Sequence, residues 1–251
     1  MNYREPMRGS ERENVGAHVA EGWAGYDYMY KEYELTDREY FVLIIIDALR
    51  ICTAEVVAWL AGYTDYSYCR KSLMRLYNNG YVSIVKGNNG KNCYFLKSKG
   101  LKSIGKYNSR VYEVSSMTNH CLEVGIVCAW LRATRKLHFS DMMLDMQLRE
   151  SQSVGEHRPD IVVGNLAFEI ELNHKRKETL TRNVLSNELT YDGQVWLVPQ
   201  RKANIRRSLA EIFADNVIED DSAKILCLED IHQEICLCNI HNNTWQAPPL
   251  P

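Results

Sequence analysis

The chain has 251 residues, 45% hydrophobic and 25% charged, an ordinary composition for a folded protein that excludes a wholly disordered chain. At roughly 100 to 200 residues per domain, this length predicts one large or two modest domains. Thirty Lys and Arg against 32 Asp and Glu leave a formal charge of −2, a balance that by itself points to no nucleic-acid partner. The longest apolar stretch, residues 40–49, is interrupted by Asp47 and is far short of the run of about 20 that a membrane helix needs. The opening MNYREPMRGSERENVG mixes both charge signs without an apolar core, unlike a secretory or transit signal, so a cytoplasmic location is expected.

The neutral total hides a division. Residues 1–35 hold four Lys/Arg and seven Asp/Glu, residues 36–110 twelve and five, and residues 111–251 fourteen and twenty, giving net charges of −3, +7 and −6. Opposite signs in successive segments predict different partners. The expected organisation is an N-terminal arm over 1–35, a basic domain over 36–110 and an acidic domain over 111–251. Cys52, Cys69, Cys93, Cys121, Cys128, Cys227, Cys236 and Cys238 include no CxxC pair. They read as buried small hydrophobes rather than zinc ligands or disulfides.

In the basic segment, Thr36 followed by Glu39 is a capping box ahead of an apolar run, so a first helix is expected over 37–50. A second fits 53–61, with Val56, Val57 and Leu60 on one face and Gly62 as its stop. A third begins after Thr64 or Asp65 and ends at the Asn78-Asn79-Gly80 turn, with Leu73, Leu76 and Tyr77 inward and Ser67, Arg70, Lys71 and Arg75 outward. Residues 81–85 and 92–96 read as strands joined by a Gly/Asn-rich turn between Lys86 and Lys91. Three helices followed by a basic-tipped hairpin predict a winged-helix domain. Its third helix would enter a DNA major groove while Lys86 and Lys91 reach phosphates, with Lys97, Lys99, Lys102 and Lys106 extending the patch. A protein-contact role for the same basic face is the alternative.

The acidic segment alternates helix and strand signals: a helix over 118–135, strands over 138–144, 160–163 and 167–172 with a turn at Gly164-Asn165, helices over 175–189 and 203–214, and strands at 194–198, 224–228 and 235–239. A mixed α/β (α+β) sheet flanked by helices follows. Along the strand at 167–172, alternation puts Phe168, Ile170 and Leu172 on one face and Glu169 and Glu171 on the other. A hairpin would bring Asp160 near both glutamates. Three clustered acids repel unless a cation or shared proton relieves them, so a site for a hard metal with oxygen ligands is expected, against an inert exposed hairpin face.

RPD followed by FEIEL resembles the PD-(D/E)xK nuclease superfamily, whose metal-dependent sites cut phosphodiesters. On that resemblance Asp160 and Glu169 match the acidic positions, Glu171 stands where the family usually has Lys, and Lys175 or Lys177 supplies the missing cation. His120 sits where RecB-type members often place a metal-ligand His, Glu123 lies one turn later, and NELTY, from Asn187 to Tyr191, is similar to their Q-x-x-x-Y motif. Taken with the L-x-x-L-Y-N-N-G-Y-V segment, YFLKSKG and NHCLEVG, residues 36–200 resemble the replication-relaxation family, most closely the MobC-type plasmid mobilisation relaxases.

That resemblance implies a DNA relaxase that nicks one strand at an origin of transfer, binds duplex and single-stranded DNA, and works with an accessory mobilisation protein. Asp160 and Glu169 would hold Mg²⁺ or Mn²⁺, with Glu171 and His120 as further ligands. Glu171 would orient or deprotonate water and Lys175 stabilise charge developing on the phosphate. Glu123 and Tyr191 would support the site. The seven histidines include no HxH pair, which disfavours the histidine-cluster relaxases, while the tyrosines near the N-terminus leave a tyrosine nucleophile open. The competing expectations are a winged-helix replication or transcription regulator with a degenerate nuclease-like domain, and a restriction-type nuclease that cuts both strands.

Overall fold

Thr36 opens the first helix, α1 (Asp37–Leu49), as a full capping box: its hydroxyl accepts from the Glu39 amide at 3.2 Å, and the Glu39 carboxylate accepts from the Thr36 amide at 3.1 Å. The described residues of this computed structural model are 33–87, 90–151, 157–219 and 221–240. The expectations for the N-terminal arm, including Tyr26, Tyr28 and Tyr30, and for the tail beyond 240 lie outside them. From Leu35 onward the described residues belong to one compact unit. None of their helices is long and apolar enough to cross a membrane.

Helix α1 buries Val42, Leu43, Ile45, Ile46 and Leu49 and stops abruptly. Arg50 has φ 65° and ψ −44°, and the Ile51 amide donates to the Leu49 carbonyl at 2.8 Å. This is a γ-turn in the positive-φ form, a conformation that costs a non-glycine residue about 1–3 kcal/mol. The chain then runs through β1 (Cys52–Thr53), α2 (Ala54–Leu60), α3 (Tyr66–Asn78), β2 (Val82–Lys86), β3 (Asn92–Leu96) and α4 (Ser98–Ser103). Thr53 caps α2 and Asp65 caps α3. β3 lies between β1 and β2, antiparallel to both.

Helix α5 (Thr118–Arg135) joins this helical region to the rest of the core. At Gly125 an added Cβ would lie 3.2 Å from Val56 Cγ1 and 3.5 Å from Leu49 Cδ1. The missing side chain thus lets α5 press directly on α1 and α2. There follow a short 3-10 turn at Phe139–Asp141, β4 (Met142–Leu144), α6 (Asp145–Ser151), β5 (Ile161–Val163), β6 (Leu166–Ile170), α7 (Lys177–Thr190), β7 (Gly193–Val198), α8 (Ala203–Asp215), β8 (Ala223–Cys227) and α9 (Leu228–Ile240).

The five strands β4 to β8 form one mixed sheet in sequence order. β4, β5 and β6 are antiparallel, while β6, β7 and β8 are parallel, as required when α7 and α8 serve as crossover helices. Leu180 and Val184 of α7 and Ile205, Leu209 and Ile212 of α8 pack with Trp196 and Val198 on one face. The fold is therefore mixed α and β, with the expected hairpin turning at Gly164, whose φ is +57°.

Two expected strands are corrected. Residues 138–144 form a strand only at Met142–Leu144, because Asp141 caps the preceding turn by accepting from the His138 amide at 2.8 Å. Residues 235–239 belong to α9: Leu228 and Ile231 bury one helical face, and Glu234 accepts from Trp130 Nε1 at 2.6 Å, so packing on α5 overrides the local apolar run. Cys52, Cys69, Cys93 and Cys128 are buried free thiols, as expected; burial pushes the Cys69 thiol up to about 12. Cys121 and Cys227 are half-buried and Cys236 is exposed, against expectation; the Cys238 side chain lies outside the described set.

Candidate functional site

The acidic residues gather at one end of the β5–β6 hairpin. Asp160, just before β5, accepts from the Ile170 amide through Oδ2 at 2.7 Å, and its Oδ1 lies 2.8 Å from His120 Nε2 on α5. A hairpin, a crossover helix and the first turn of α5 are all needed to assemble this corner. Glu169 turns toward α7, where Oε1 accepts from Asn187 Nδ2 at 3.0 Å and is hydrogen-bonded to His157 Nε2. Glu171 follows the strand, with its amide held by the Leu197 carbonyl at 2.9 Å. Its Oε2 lies 2.5 Å from Lys175 Nζ.

Glu169 and Glu171 are each only 3% exposed, so the inert exposed hairpin face is ruled out. Helices cover both faces of β6, which is why acids that alternate in sequence become buried acids in the fold. Burial pushes the Glu169 carboxyl above the ordinary carboxylate range; the His157 hydrogen bond opposes this and the Asp160 charge adds to it. Burial disfavours a charged His120, but its hydrogen bond to Asp160 outweighs that and raises the imidazole. Lys175 is raised in the same manner, burial being outweighed first by Glu171 and then by Glu169 and Asp160. These are mutually felt charges in one low-dielectric corner.

The donor chemistry suits a hard divalent cation. Asp160 and Glu169 offer oxygen only, and Asn187 Oδ1 is buried without a hydrogen-bond partner among the described residues, leaving an acceptor for a further donor or cation. No three His, Cys, Asp or Glu side chains among the described residues converge as a metal cage. Mg²⁺ does not require one, since it is commonly held by one or two carboxylates completed by water and substrate phosphate.

The other expected residues divide. Lys175, not Lys177, reaches the acids; Lys177 instead lies 3.7 Å from Glu211 and 3.6 Å from Asp215 on α8. Glu123 turns away from the acids to His232 of α9, at 2.7 Å. Tyr191 ends α7, its amide donating to the Asn187 carbonyl at 2.8 Å. His120 faces Asp160 as a hydrogen-bond partner. His157 was not anticipated as a site residue, although its place three residues before Asp160 was the available signal. Glu169's contact with Asn187 gives the NELTY segment its physical role.

On the basic face, Ser67, Arg70, Lys71 and Arg75 are exposed on α3. Ser67 Oγ donates to Asp65 at 2.9 Å, Lys71 lies over the Tyr68 ring, and Arg75 is 2.8 Å from buried Glu39. At the hairpin tip Lys86 Nζ donates to the Gly90 carbonyl at 3.2 Å, and Lys91 is 3.2 Å from Glu55. Lys97 and Lys99 lie over Tyr77 and Tyr81, and Lys106 pairs with Asp47 at 2.6 Å. These cations stand on a solvated surface; the Lys71, Lys86 and Lys91 head groups each have a neighbour, yet Arg70, Lys71, Lys86 and Lys91 remain exposed. No family model, no curated protein and no solved structure matches the chain.

Proposed function

We propose that this protein is a DNA strand-nicking enzyme of the plasmid-mobilisation relaxase type, a winged-helix module that grips duplex DNA built onto a PD-(D/E)xK-like cutting module. The observation that carries this is the gathering of Asp160, Glu169 and the Glu171–Lys175 pair at one end of a hairpin, two of the acids buried. Buried acids that feel one another's charge seldom serve stability, and they mark functional sites with a physical rationale. Support for the duplex-binding part comes from Arg70 and Lys71, exposed on α3, and Lys86, exposed on the hairpin, where cations of a recognition helix and wing would be needed.

Asp160 and Glu169 would hold Mg²⁺ or Mn²⁺, which when bound supplies Lewis acidity toward a phosphate oxygen. His120 and the Ile170 amide orient Asp160; His157 and Asn187 orient Glu169. Glu171 accepts the proton of the attacking water, and Lys175, already its ion-pair partner, carries positive charge to the phosphate as negative charge develops. An accessory mobilisation protein would present the origin of transfer.

The test is incubation of supercoiled origin-bearing plasmid with the protein and Mg²⁺ or Mn²⁺, comparing Asp160→Ala and Glu169→Ala with the parent. Open-circular product from the parent and none from the variants is expected. Equal nicking by all three would sink the site assignment, and protein attached to the cut 5′ end would move the chemistry to a tyrosine. One observation favours a second function, a DNA-binding regulator without catalysis: His120, His157 and Lys175 already partner each acid. It predicts specific duplex binding with no Mg²⁺ or Mn²⁺ uptake by calorimetry.

A further inference from the structure

A cleft of about 800 Å³ lies between the end of α1 and the start of α5, and its lining includes His120 and Asp160. Four arginines, Arg50, Arg110, Arg149 and Arg158, and four acids, Asp47, Glu113, Asp145 and Asp160, line it. Arg149 and Arg158 are engaged by Asp145, at 2.6 Å and 3.3 Å. Arg50 and Arg110 have no ion-pair partner among the described residues. Arg50 stands near the start of α5, close enough for its charge to act on the Cys121 thiol, which also feels Asp160. The guanidinium and the acidic corner thus address the same small region.

Arg50 is also the residue in the strained γ-turn, with φ 65°. Glycine would take that conformation without strain. An arginine there, lining a cleft and without an ion-pair partner among the described residues, has the character of a residue kept for what it binds, since strained backbone concentrates at ligand clamps. A planar, permanently charged fork suits phosphate, which accepts two parallel hydrogen bonds from it. The same wall carries Tyr112, whose hydroxyl is fixed 2.9 Å from Thr118 and whose ring stands edge-on to Phe95 at 6.2 Å. A fixed aromatic ring beside an arginine is a usual means of holding an unpaired base.

We infer that this cleft is the path of a single DNA strand toward Asp160, with Arg50 as the phosphate clamp and Arg110 a second contact in the same cleft. This rests on the acidic corner being where the strand is cut. It assigns duplex binding and strand binding to different surfaces: the exposed face of α3 with the hairpin tip for the duplex, and the cleft for the unpaired strand. Arg50 is a positioning residue here, since it holds the phosphodiester and takes no part in proton transfer.

The experiment is fluorescence anisotropy of the full chain with a labelled 12-nucleotide oligo-dT and, separately, a labelled duplex, in chelator so that no cutting occurs. Arg50→Gly is the informative variant because it relieves the turn rather than damaging it. Its melting temperature should rise while oligo-dT affinity falls about tenfold. The slope of log K against log salt should drop by about 0.7, one phosphate contact on a single strand. Duplex affinity should hold within about twofold, whereas Lys86→Ala should weaken duplex and spare oligo-dT. Unchanged oligo-dT affinity and slope in Arg50→Gly would overturn the strand path, as would equal losses on both probes. Because cutting plays no part, loss of strand binding in Arg50→Gly beside undiminished nicking by Asp160→Ala would retain the path and reject the cutting chemistry.

Discussion

The helical region of residues 36–110 and the α/β region beyond it both bury glutamate, and they treat the charge in opposite ways. Glu39 is 1% exposed and is surrounded by fixed donors: the Thr36 amide and hydroxyl, Ser72 Oγ at 3.3 Å and Arg75 at 2.8 Å. It ties α1 to α3 and is architecture. Glu169 is nearly as buried, but one of its partners is itself a titratable histidine and its carboxyl is pushed upward by burial and by a neighbouring acid. A buried charge saturated by caps and a cation holds a fold together, while one held above its ordinary range is poised to exchange a proton or take a cation.

On the proposed nicking function, the largest effect expected to separate the two regions is catalytic. Asp160→Ala should lower strand nicking by on the order of 100-fold or more with the melting temperature little changed. Collapse of the fold in that variant would make Asp160 as architectural as Glu39. Next is Glu39→Ala, which strands Arg75 and Ser72 and should cost about 3 kcal/mol in urea unfolding, with Glu39→Gln milder. A cost under about 1 kcal/mol would show that the helical region does not depend on its buried acid.

Smaller effects belong to the exposed charges. Lys86→Ala should reduce the salt slope of duplex binding by about 0.9; an unchanged slope would remove the hairpin tip from the contact. The smallest concerns the Glu123–His232 pair between α5 and α9. The hydrogen bond to Glu123 raises the His232 imidazole above its ordinary 6.5, so the pair's contribution is complete below about pH 6.5 and is lost as pH rises through the higher folded value. With the His232 side chain 42% exposed, that contribution stays below about 1 kcal/mol. The melting-temperature gap between the parent and His232→Ala should therefore be wider at pH 5.5 than at pH 9, and a gap independent of pH would show that the pair contributes nothing as an ion pair.

Much of the local structure was legible because it is encoded within a few residues. The Thr36–Glu39 capping box, the Asp65 cap, the Gly164 turn and the helical spacing in 118–135 act over one or two turns of chain. Expectations failed where packing outweighed local pattern. Residues 235–239 are apolar enough for a strand, yet the contacts of Trp130 and Glu123 with Glu234 and His232 make them helical. His157 is marked in the sequence only by its place three residues before Asp160, because its partner Glu169 lies across the hairpin.

By itself the sequence determined the charge division, the helix caps, the hairpin at Gly164 and the alternation that puts Glu169 and Glu171 on one side of a strand, since each depends on neighbours in the chain. Only the tertiary structure decided that those acids are buried, that Lys175 rather than Lys177 reaches them, that Glu123 faces away, and that Arg50 stands in a strained turn beside a cleft leading to Asp160. Those outcomes depend on which helices cover the sheet. Burial and charge pairing are properties of surfaces brought together from distant segments, and no short-range pattern encodes them.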